Sequence, residues 1–103
     1  MTYHKMKGFL SFLILWVIKK RKMMGMEITL ELEKRKGRKL SPGTIYPVLK
    51  KLKKDGLLAI DENKCYTLTE LGIKELKNRL GIFLKTFPDI DDMKDFLKKN
   101  ESI

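Results

Sequence analysis

The sequence predicts a small α+β domain that is mostly helical, with its helices arranged around one short β-hairpin. Apolar residues recur at helical spacing over most of the 103 residues, and capping or breaking residues mark the ends of the predicted helices. Two short apolar runs, residues 57–60 and 65–68, flank four polar residues, a pattern typical of a hairpin. A chain of this length forms one domain with a small core, which a second subunit often completes.

The first predicted helix covers residues 9–18 and is apolar nearly all round, interrupted only by Ser11. A helix of this kind has to be covered on more than one side. In so small a domain its own core covers one side, and a second copy of the chain is the obvious cover for the other. The sequence therefore predicts a homodimer.

The same apolar run, followed by four basic residues at 19–22, also suits an anchor at a membrane surface. It is far shorter than the roughly 20 residues that span a bilayer. It also lacks a small-residue cleavage site. We therefore expect no membrane partner and, because Cys65 is the single cysteine, a cytoplasmic protein.

The second predicted helix spans about residues 24–36 and is followed by Gly37, which suits a left-handed helix end. Within this helix, Glu31 and Arg35 have the spacing of an attractive ion pair.

The third predicted helix begins at Ser41, which can cap it, and Pro42, whose missing N–H costs nothing at the first helical position. Its core face consists of four apolar residues, Ile45, Val48, Leu49 and Leu52. The opposite face is cationic, with hydroxyl groups near the helix start and ammonium groups further along. This arrangement suits a helix whose N-terminal end enters a DNA major groove.

The candidate DNA contacts divide by chemistry. We expect Ser41, Thr44 and Tyr46 to make the sequence-specific contacts, because their hydroxyl groups lie near the helix start. Cations on and beside this helix can neutralise phosphates or touch the flanks of the site. These candidates are Arg38, Lys39, Lys50, Lys51, Lys54 and Lys64.

Two alternatives stay open around this helix. Arg38 and Lys39 either meet the DNA backbone or belong to a solvated loop. Pro47 removes a helical hydrogen bond to the Gly43 carbonyl, at a cost of up to about 3 kcal/mol in a helix interior. Either the helix kinks in its first turn with Pro47 facing away from the core, or residues 41–46 form a turn and the regular helix begins at Pro47.

The charge of the chain favours a polyanionic partner. The net charge is +10, and residues 1–54 hold 15 Lys and Arg against 3 acidic residues, whereas residues 55–103 hold 8 against 10. Such asymmetry indicates nucleic acid or an anionic membrane surface and says nothing about sequence specificity. One histidine and one cysteine provide no local catalytic pair and no clustered metal site, so we expect no enzyme, metal or cofactor.

Beyond the predicted hairpin, Thr69 can cap a helix that ends at Pro88, and Asp89 begins a last short helix. These two helices carry more apolar surface than one small domain needs. We expect them to pack on the first helix, largely that of a second subunit.

Several segments together resemble one known family. Residues 40–47 read Leu-Ser-Pro-Gly-Thr-Ile-Tyr-Pro and are followed by a leucine-lysine helix and Asp-Gly-Leu-Leu at 55–58. Residues 24–28 read Met-Gly-Met-Glu-Ile, and residues 66–72 read Tyr-Thr-Leu-Thr-Glu-Leu-Gly. This combination resembles the PadR-like winged helix-turn-helix transcriptional regulators over roughly two thirds of the chain.

The resemblance implies a winged helix-turn-helix with a short two-stranded wing and extra C-terminal helices for dimerisation. Residues 9–70 would form the DNA-binding core, residues 9–21 would also join the dimer interface, and residues 71–103 would form the dimerisation helices. The expected interface residues are Phe9, Phe12, Leu13, Trp16, Leu80, Phe83, Phe87, Met93 and Phe96. The family's wings tend to be longer and more basic, whereas here the tip is acidic apart from Lys64, so the wing either contacts DNA or only covers the core.

The predicted function is a homodimeric, sequence-specific regulator of transcription, in the manner of a repressor that binds a near-palindromic operator in double-stranded DNA. The rival functions are a nonspecific architectural nucleic-acid-binding protein and a protein–protein adaptor that has kept the fold. Aromatic residues of the predicted interface also suggest a pocket for a small aromatic effector, although aromatics at helical spacing more often form plain core.

Overall fold

A computed structural model describes residues 2–99, with side chains from residue 8 onward. It has the mostly helical α+β fold that the sequence predicts. The elements in chain order are α1 (Thr2–Lys20), β1 (Met23–Met24), α2 (Gly25–Lys36), α3 (Pro42–Lys54), β2 (Leu58–Ile60), β3 (Cys65–Leu68), α4 (Glu70–Thr86) and α5 (Ile90–Lys98). Residues 100–103 of the predicted dimerisation segment lie outside the described residues.

The core forms where α1, α2 and α3 meet, with the sheet against one end. Each helix contributes the apolar residues that its 3.6-residue periodicity places on one face. The largest fully buried side chains are Ile14, Leu15, Val17, Ile28, Leu32, Ile45 and Leu49. The predicted inner face of α3 is confirmed, since Leu52 is also buried and Val48 packs against the same cluster.

The helix ends obey the expected local rules. The Ser41 hydroxyl oxygen accepts the Gly43 N–H at 2.9 Å, and the Thr69 hydroxyl oxygen accepts the Gly72 N–H at 2.9 Å. Gly37 ends α2 with a φ of 71°, a left-handed conformation that glycine adopts without steric cost. These local signals explain why the helix ends that they mark agree closely with the predicted ones. By contrast, α1 runs from Thr2 to Lys20 and is longer at both ends than the predicted residues 9–18.

The helix α3 runs unbroken from Pro42 through Pro47 to Lys54. The alternative in which the regular helix begins only at Pro47 is therefore wrong. Pro47 is exposed, and so is Gly43, whose carbonyl loses its helical partner to the proline. That carbonyl can be hydrated, which makes a proline tolerable at this point.

The sheet has three antiparallel strands in the order β1-β3-β2. The wing is the two-stranded hairpin of β2 and β3, as predicted, with Leu58 opposite Leu68 and Ile60 opposite Tyr66. The sequence did not predict β1, in which Met24 lies opposite Cys65. Because Met24 belongs to this strand, α2 begins one residue later than expected.

The helix α4 packs on α1, and a polar contact joins the two. Arg79 donates through Nη1 to the Ser11 hydroxyl oxygen at 2.7 Å and through Nε to Glu75 Oε2 at 2.7 Å. The Ser11 hydroxyl in turn donates to the Gly8 carbonyl at 3.0 Å. Ser11, the only interruption of the apolar run, is thus satisfied inside the fold. By contrast, α5 has no buried residue.

Gly72, in the first turn of α4, offers a test of how closely this helix approaches the wing. A methyl group at residue 72 would overlap the Leu57 carbonyl oxygen, which is backbone and cannot move aside cheaply. We expect Gly72→Ala to lower the free energy of unfolding by about 2–3 kcal/mol, measured by urea denaturation. Gly81→Ala is the matched control, because a methyl group there meets no atom within 4 Å. Helix propensity predicts that this control gains up to about 1 kcal/mol. Equal stabilities for the two variants would contradict the packing described.

Candidate nucleic-acid interface

The outer face of α3 carries a row of exposed polar residues. Ser41, Thr44, Lys50 and Lys54 are all exposed, and they follow one another from the start of the helix to its end. The Ser41 oxygen accepts a capping bond from Gly43, which leaves its O–H free to donate to a ligand. The structure therefore presents hydroxyl groups at one end of α3 and ammonium groups at the other, as the sequence indicates.

Tyr46, the third candidate for a sequence-specific contact, is only partly exposed. It is 42% exposed, and the Cε1 edge of its ring lies against Gly25, in the first turn of α2. Cε1 is 2.7 Å from the position that a Cβ atom at residue 25 would occupy. Tyr46 thus bridges α2 and α3 and remains partly exposed. The periodicity of α3 contains no signal for this contact, because it joins residues 21 positions apart.

The lysines of α3 are not equivalent. Lys51 Nζ lies 3.0 Å from Asp55 Oδ1, one helical turn further on, in an exposed pair. Lys50 and Lys54 form no ion pair with another described residue. Lys53 is likewise exposed and forms no ion pair with another described residue. These unpaired cations are available to a polyanion at once, whereas Lys51 has to exchange a carboxylate for it. The sequence contains this pair at i,i+4 spacing, but the prediction did not consider it.

Hydrogen bonds to Glu33 of α2 hold the connection between α2 and α3 in place. The Leu40 N–H donates to Glu33 Oε2 at 2.8 Å, and the Arg38 N–H donates to the Glu33 carbonyl at 3.3 Å. The side chains of Arg38 and Lys39 are exposed, just before the first turn of α3. Their backbone is therefore ordered while their charges face solvent.

Asp61, one of two acidic residues at the wing tip, has a structural role. Asp61 Oδ1 accepts the backbone N–H groups of Asn63 at 2.8 Å and Cys65 at 2.9 Å, which closes the turn. Lys22 Nζ lies 3.4 Å from the other carboxylate oxygen. The hydrogen bond from the Cys65 N–H is the main cause that lowers the pKa of Asp61. Lys64 is exposed at the tip in a left-handed conformation, with a φ of 64°.

The negative charge at the wing tip is therefore partly compensated, which its own sequence does not show. Lys22, from the junction between α1 and β1, compensates Asp61 across the sheet, so Lys64 is not the only cation beside the tip. Nearby, Arg21 Nη1 lies 3.6 Å from Glu27 Oε2, while Lys19 and Lys20 are exposed.

The expected interface residues lie at the surface of one chain. Phe83 is in the centre of an aromatic cluster, with ring centroids 6.0 Å from Phe12 and 5.3 Å from Phe87. Phe9 is exposed beneath Lys36, whose Nζ lies 5.7 Å from the ring centroid. Leu13, Trp16 and Leu80 are half-buried and Met93 and Phe96 are exposed, so these helices leave apolar surface uncovered.

In the part of the chain that the structure describes, no group of three metal-ligating side chains comes together. Among the same residues, no helix combines the length and apolar character needed to cross a membrane.

Comparison with known proteins shows what the chain is similar to. The sequence model of the transcriptional regulator PadR-like family matches residues 14–78. No curated protein matches the chain.

Solved structures give the same family by shape. A PadR-like transcription factor from Bacteroides fragilis matches with a TM-score of 0.77 at 23% identity, covering 89% of this chain and 96% of that one. H. salinarum RosR matches with a TM-score of 0.71 at 27% identity, covering 86% and 84% of the two chains. Bacillus subtilis PadR in complex with p-coumaric acid matches with a TM-score of 0.63 at 34% identity, covering 69% of this chain but 43% of that one.

The wing turn generates a pH-dependent prediction. Because the pKa of Asp61 is lowered in the folded chain, its ionised form stabilises the fold above its ordinary value of 3.8. This contribution is lost as the pH falls through the lowered folded pKa. We expect the wild type to exceed Asp61→Asn in melting temperature at neutral pH, since asparagine keeps an acceptor oxygen but no charge, and the difference to shrink below pH 3.8. A difference that is independent of pH would show that the carboxylate charge contributes nothing.

Proposed function

The chain belongs to the PadR-like family of transcriptional regulators, and from this premise we propose that it is a homodimeric repressor that reads a near-palindromic operator with α3. As a member of this family it is a DNA-binding regulator and not an enzyme.

The observation that carries the proposal is the two-sided character of α3. Its inner side is anchored by Ile45 and Leu49, which are fully buried. Its outer side changes from hydroxyl groups to unpaired lysines along the helix. Hydroxyl groups can hydrogen-bond base edges, and lysines can neutralise phosphates. Because its inner face is buried in the core, the helix can present its outer groups to a major groove in one fixed geometry.

The proposed contacts follow from exposure and pairing. Ser41, Thr44 and Tyr46 would touch base edges, and the cations would touch phosphates. Among the cations we rank those without an intramolecular partner first, because binding costs them no ion pair. The proposed phosphate contacts are Lys50 and Lys54 on α3, then Lys51, with Arg38, Lys39 and Lys64 at the flanks.

The homodimer is supported by apolar surface that one chain leaves open. Phe96 is 64% exposed and Leu97 is 82% exposed on α5, a helix with no buried residue. We propose that residues 71–103, together with residues 9–21, form the subunit interface, and that residues 9–70 are the DNA-binding core. A two-fold dimer would place its two copies of α3 about 34–36 Å apart or at a multiple of this spacing, which matches one turn of DNA.

A small aromatic effector is a further part of this proposal. Bacillus subtilis PadR was solved with p-coumaric acid, although this chain covers only 43% of that protein. In this chain the cluster of Phe12, Phe83 and Phe87 lies at the proposed interface, where a planar aromatic molecule could alter the spacing of the subunits. We propose a cytoplasmic location, where the operator DNA is accessible.

The proposed function is tested by selecting bound duplexes from a random double-stranded DNA library near physiological salt. A dimer of α3 helices requires two-fold-symmetric half-sites, so we expect enrichment of an inverted repeat with half-sites about 10 base pairs apart or a multiple of this. Binding without enrichment would favour an architectural protein. A lack of any binding would favour the adaptor and contradict the proposal.

The unequal lysines of α3 make a second prediction, measured as the dependence of DNA affinity on salt concentration. Lys50→Ala should reduce the salt slope by about one, because one phosphate contact is lost. Asp55→Asn should act in the opposite direction and raise affinity for every sequence, because it frees Lys51 and removes a negative charge facing the DNA. Lys85→Ala, an exposed lysine near the end of α4, serves as the control and should leave the slope unchanged. An unchanged slope for Lys50→Ala would exclude this lysine as a phosphate contact.

A further inference from the structure

We infer that Gly25 is a positioning residue for DNA reading: it lets the Tyr46 ring lie against α2 and so fixes where the tyrosine hydroxyl points. The inference rests on the proposed function, because it concerns how one of the proposed base-contacting side chains is oriented. Gly25 itself is buried and has no side chain with which to touch DNA.

The contact between the two residues is made by the hydroxyl-bearing end of the ring. From the position of a Cβ at residue 25, the Tyr46 atoms Cε1, Oη and Cζ lie at 2.7, 3.0 and 3.2 Å. Distances under 3.0 Å are essentially never seen for real Cβ atoms. The space that a side chain at residue 25 would need is therefore occupied by the phenol group, including its hydroxyl oxygen.

Backbone conformation does not explain the glycine. Among the glycines of the described chain, only Gly37 and Gly56 have a positive φ. Gly25 is the first residue of a regular helix, where an alanine would fit the backbone without strain and improve helix propensity. The methyl group of an alanine would instead collide with the Tyr46 ring.

The start of α2, on which the Tyr46 ring lies, is fixed by hydrogen bonds. Met24, directly before Gly25, is paired with Cys65 in the sheet, and its backbone N–H donates to Glu27 Oε1 at 2.8 Å. The Gly25 carbonyl accepts the hydroxyl of the buried Thr29 at 3.0 Å. The start of α2 is thus fixed from both sides, and α3 is fixed by its buried face. A ring held between two fixed helices has one orientation, which limits the entropy lost when its hydroxyl binds a base or phosphate.

A methyl group at residue 25 should change orientation more than stability. The atoms in its way are at the end of a half-exposed side chain, which can rotate outward while the backbone stays in place. At Gly72, in contrast, the obstructing atom is a backbone carbonyl. We therefore expect Gly25→Ala to fold, with Tyr46 displaced from α2 and its hydroxyl directed elsewhere.

The test is a double-mutant cycle of Gly25→Ala and Tyr46→Ala. The matched control is Gly8→Ala, at a helical glycine outside the proposed DNA-binding core and subunit interface, where a methyl group meets no atom within 4 Å. Affinity is measured for the selected operator and for a scrambled duplex of the same length and composition. Melting temperature and the nuclear Overhauser effect between the Gly25 Hα and the Tyr46 ring protons are recorded in parallel. The last readout tests the contact without DNA.

We expect Gly25→Ala to weaken operator binding about ten-fold, the size of one lost specific contact, and to leave binding to the scrambled duplex within about two-fold. In the Tyr46→Ala background the same substitution should have no further effect on operator binding, because Gly25 acts only through the ring. The Overhauser effect should be present in the wild type, and Gly8→Ala should bind both duplexes as the wild type does.

Four results would overturn the inference. Additive losses in the cycle, with a wild type that does select an operator, would show that Gly25 does not act through Tyr46 while the proposed function stands. An equal loss on operator and scrambled DNA, or a collapse of the melting temperature, would show a merely structural role. An absent Overhauser effect would exclude the contact in solution. A wild type that selects no sequence would instead contradict the proposed function itself.

Discussion

The burial of the inner side of α3 is the constraint on which the rest of the structure depends. Ile45 and Leu49 are fully buried against α1 and α2, and a buried aliphatic side chain contributes about 1.5–3 kcal/mol. This attachment allows a helix with an exposed proline and four lysines to persist, although neither its propensity nor its charge favours it. Once the inner side is fixed, the helical repeat decides which residues lie on the outer side, and with it the division into hydroxyl and ammonium groups.

The local part of this arrangement could be predicted from the sequence, whereas the contacts between distant segments could not. The caps at Ser41 and Thr69 and the left-handed Gly37 depend on residues within a few positions, so their patterns are sufficient to locate the helix ends. The strand β1 is two residues long and has no periodicity to detect; it exists because β3 offers it an edge. The contact of Gly25 with Tyr46 joins two helices and requires their mutual orientation.

The charges show the same division. The net charge of +10 and its concentration in the first half of the chain predict a polyanionic partner correctly for a DNA-binding family. Composition does not show which charges are already compensated. Asp61 forms the wing turn and faces Lys22, and Asp55 engages Lys51, so one acidic residue at the tip is less repulsive and one lysine of α3 less available than the sequence alone suggests. Packing thus determines the arrangement of the buried side chains of α3. The availability of its surface charges depends instead on the competition between ion pairs and water.

The central claim is that two copies of α3 lie in successive major grooves on one side of the DNA. The most direct measurement is methylation interference on the selected operator, which probes guanine N7 in the major groove and adenine N3 in the minor groove. The account predicts interference at guanines in two segments whose centres lie about 10 base pairs apart or at a multiple of this, related by the symmetry of the operator. Interference confined to a single segment, or to minor-groove adenines alone, would contradict it.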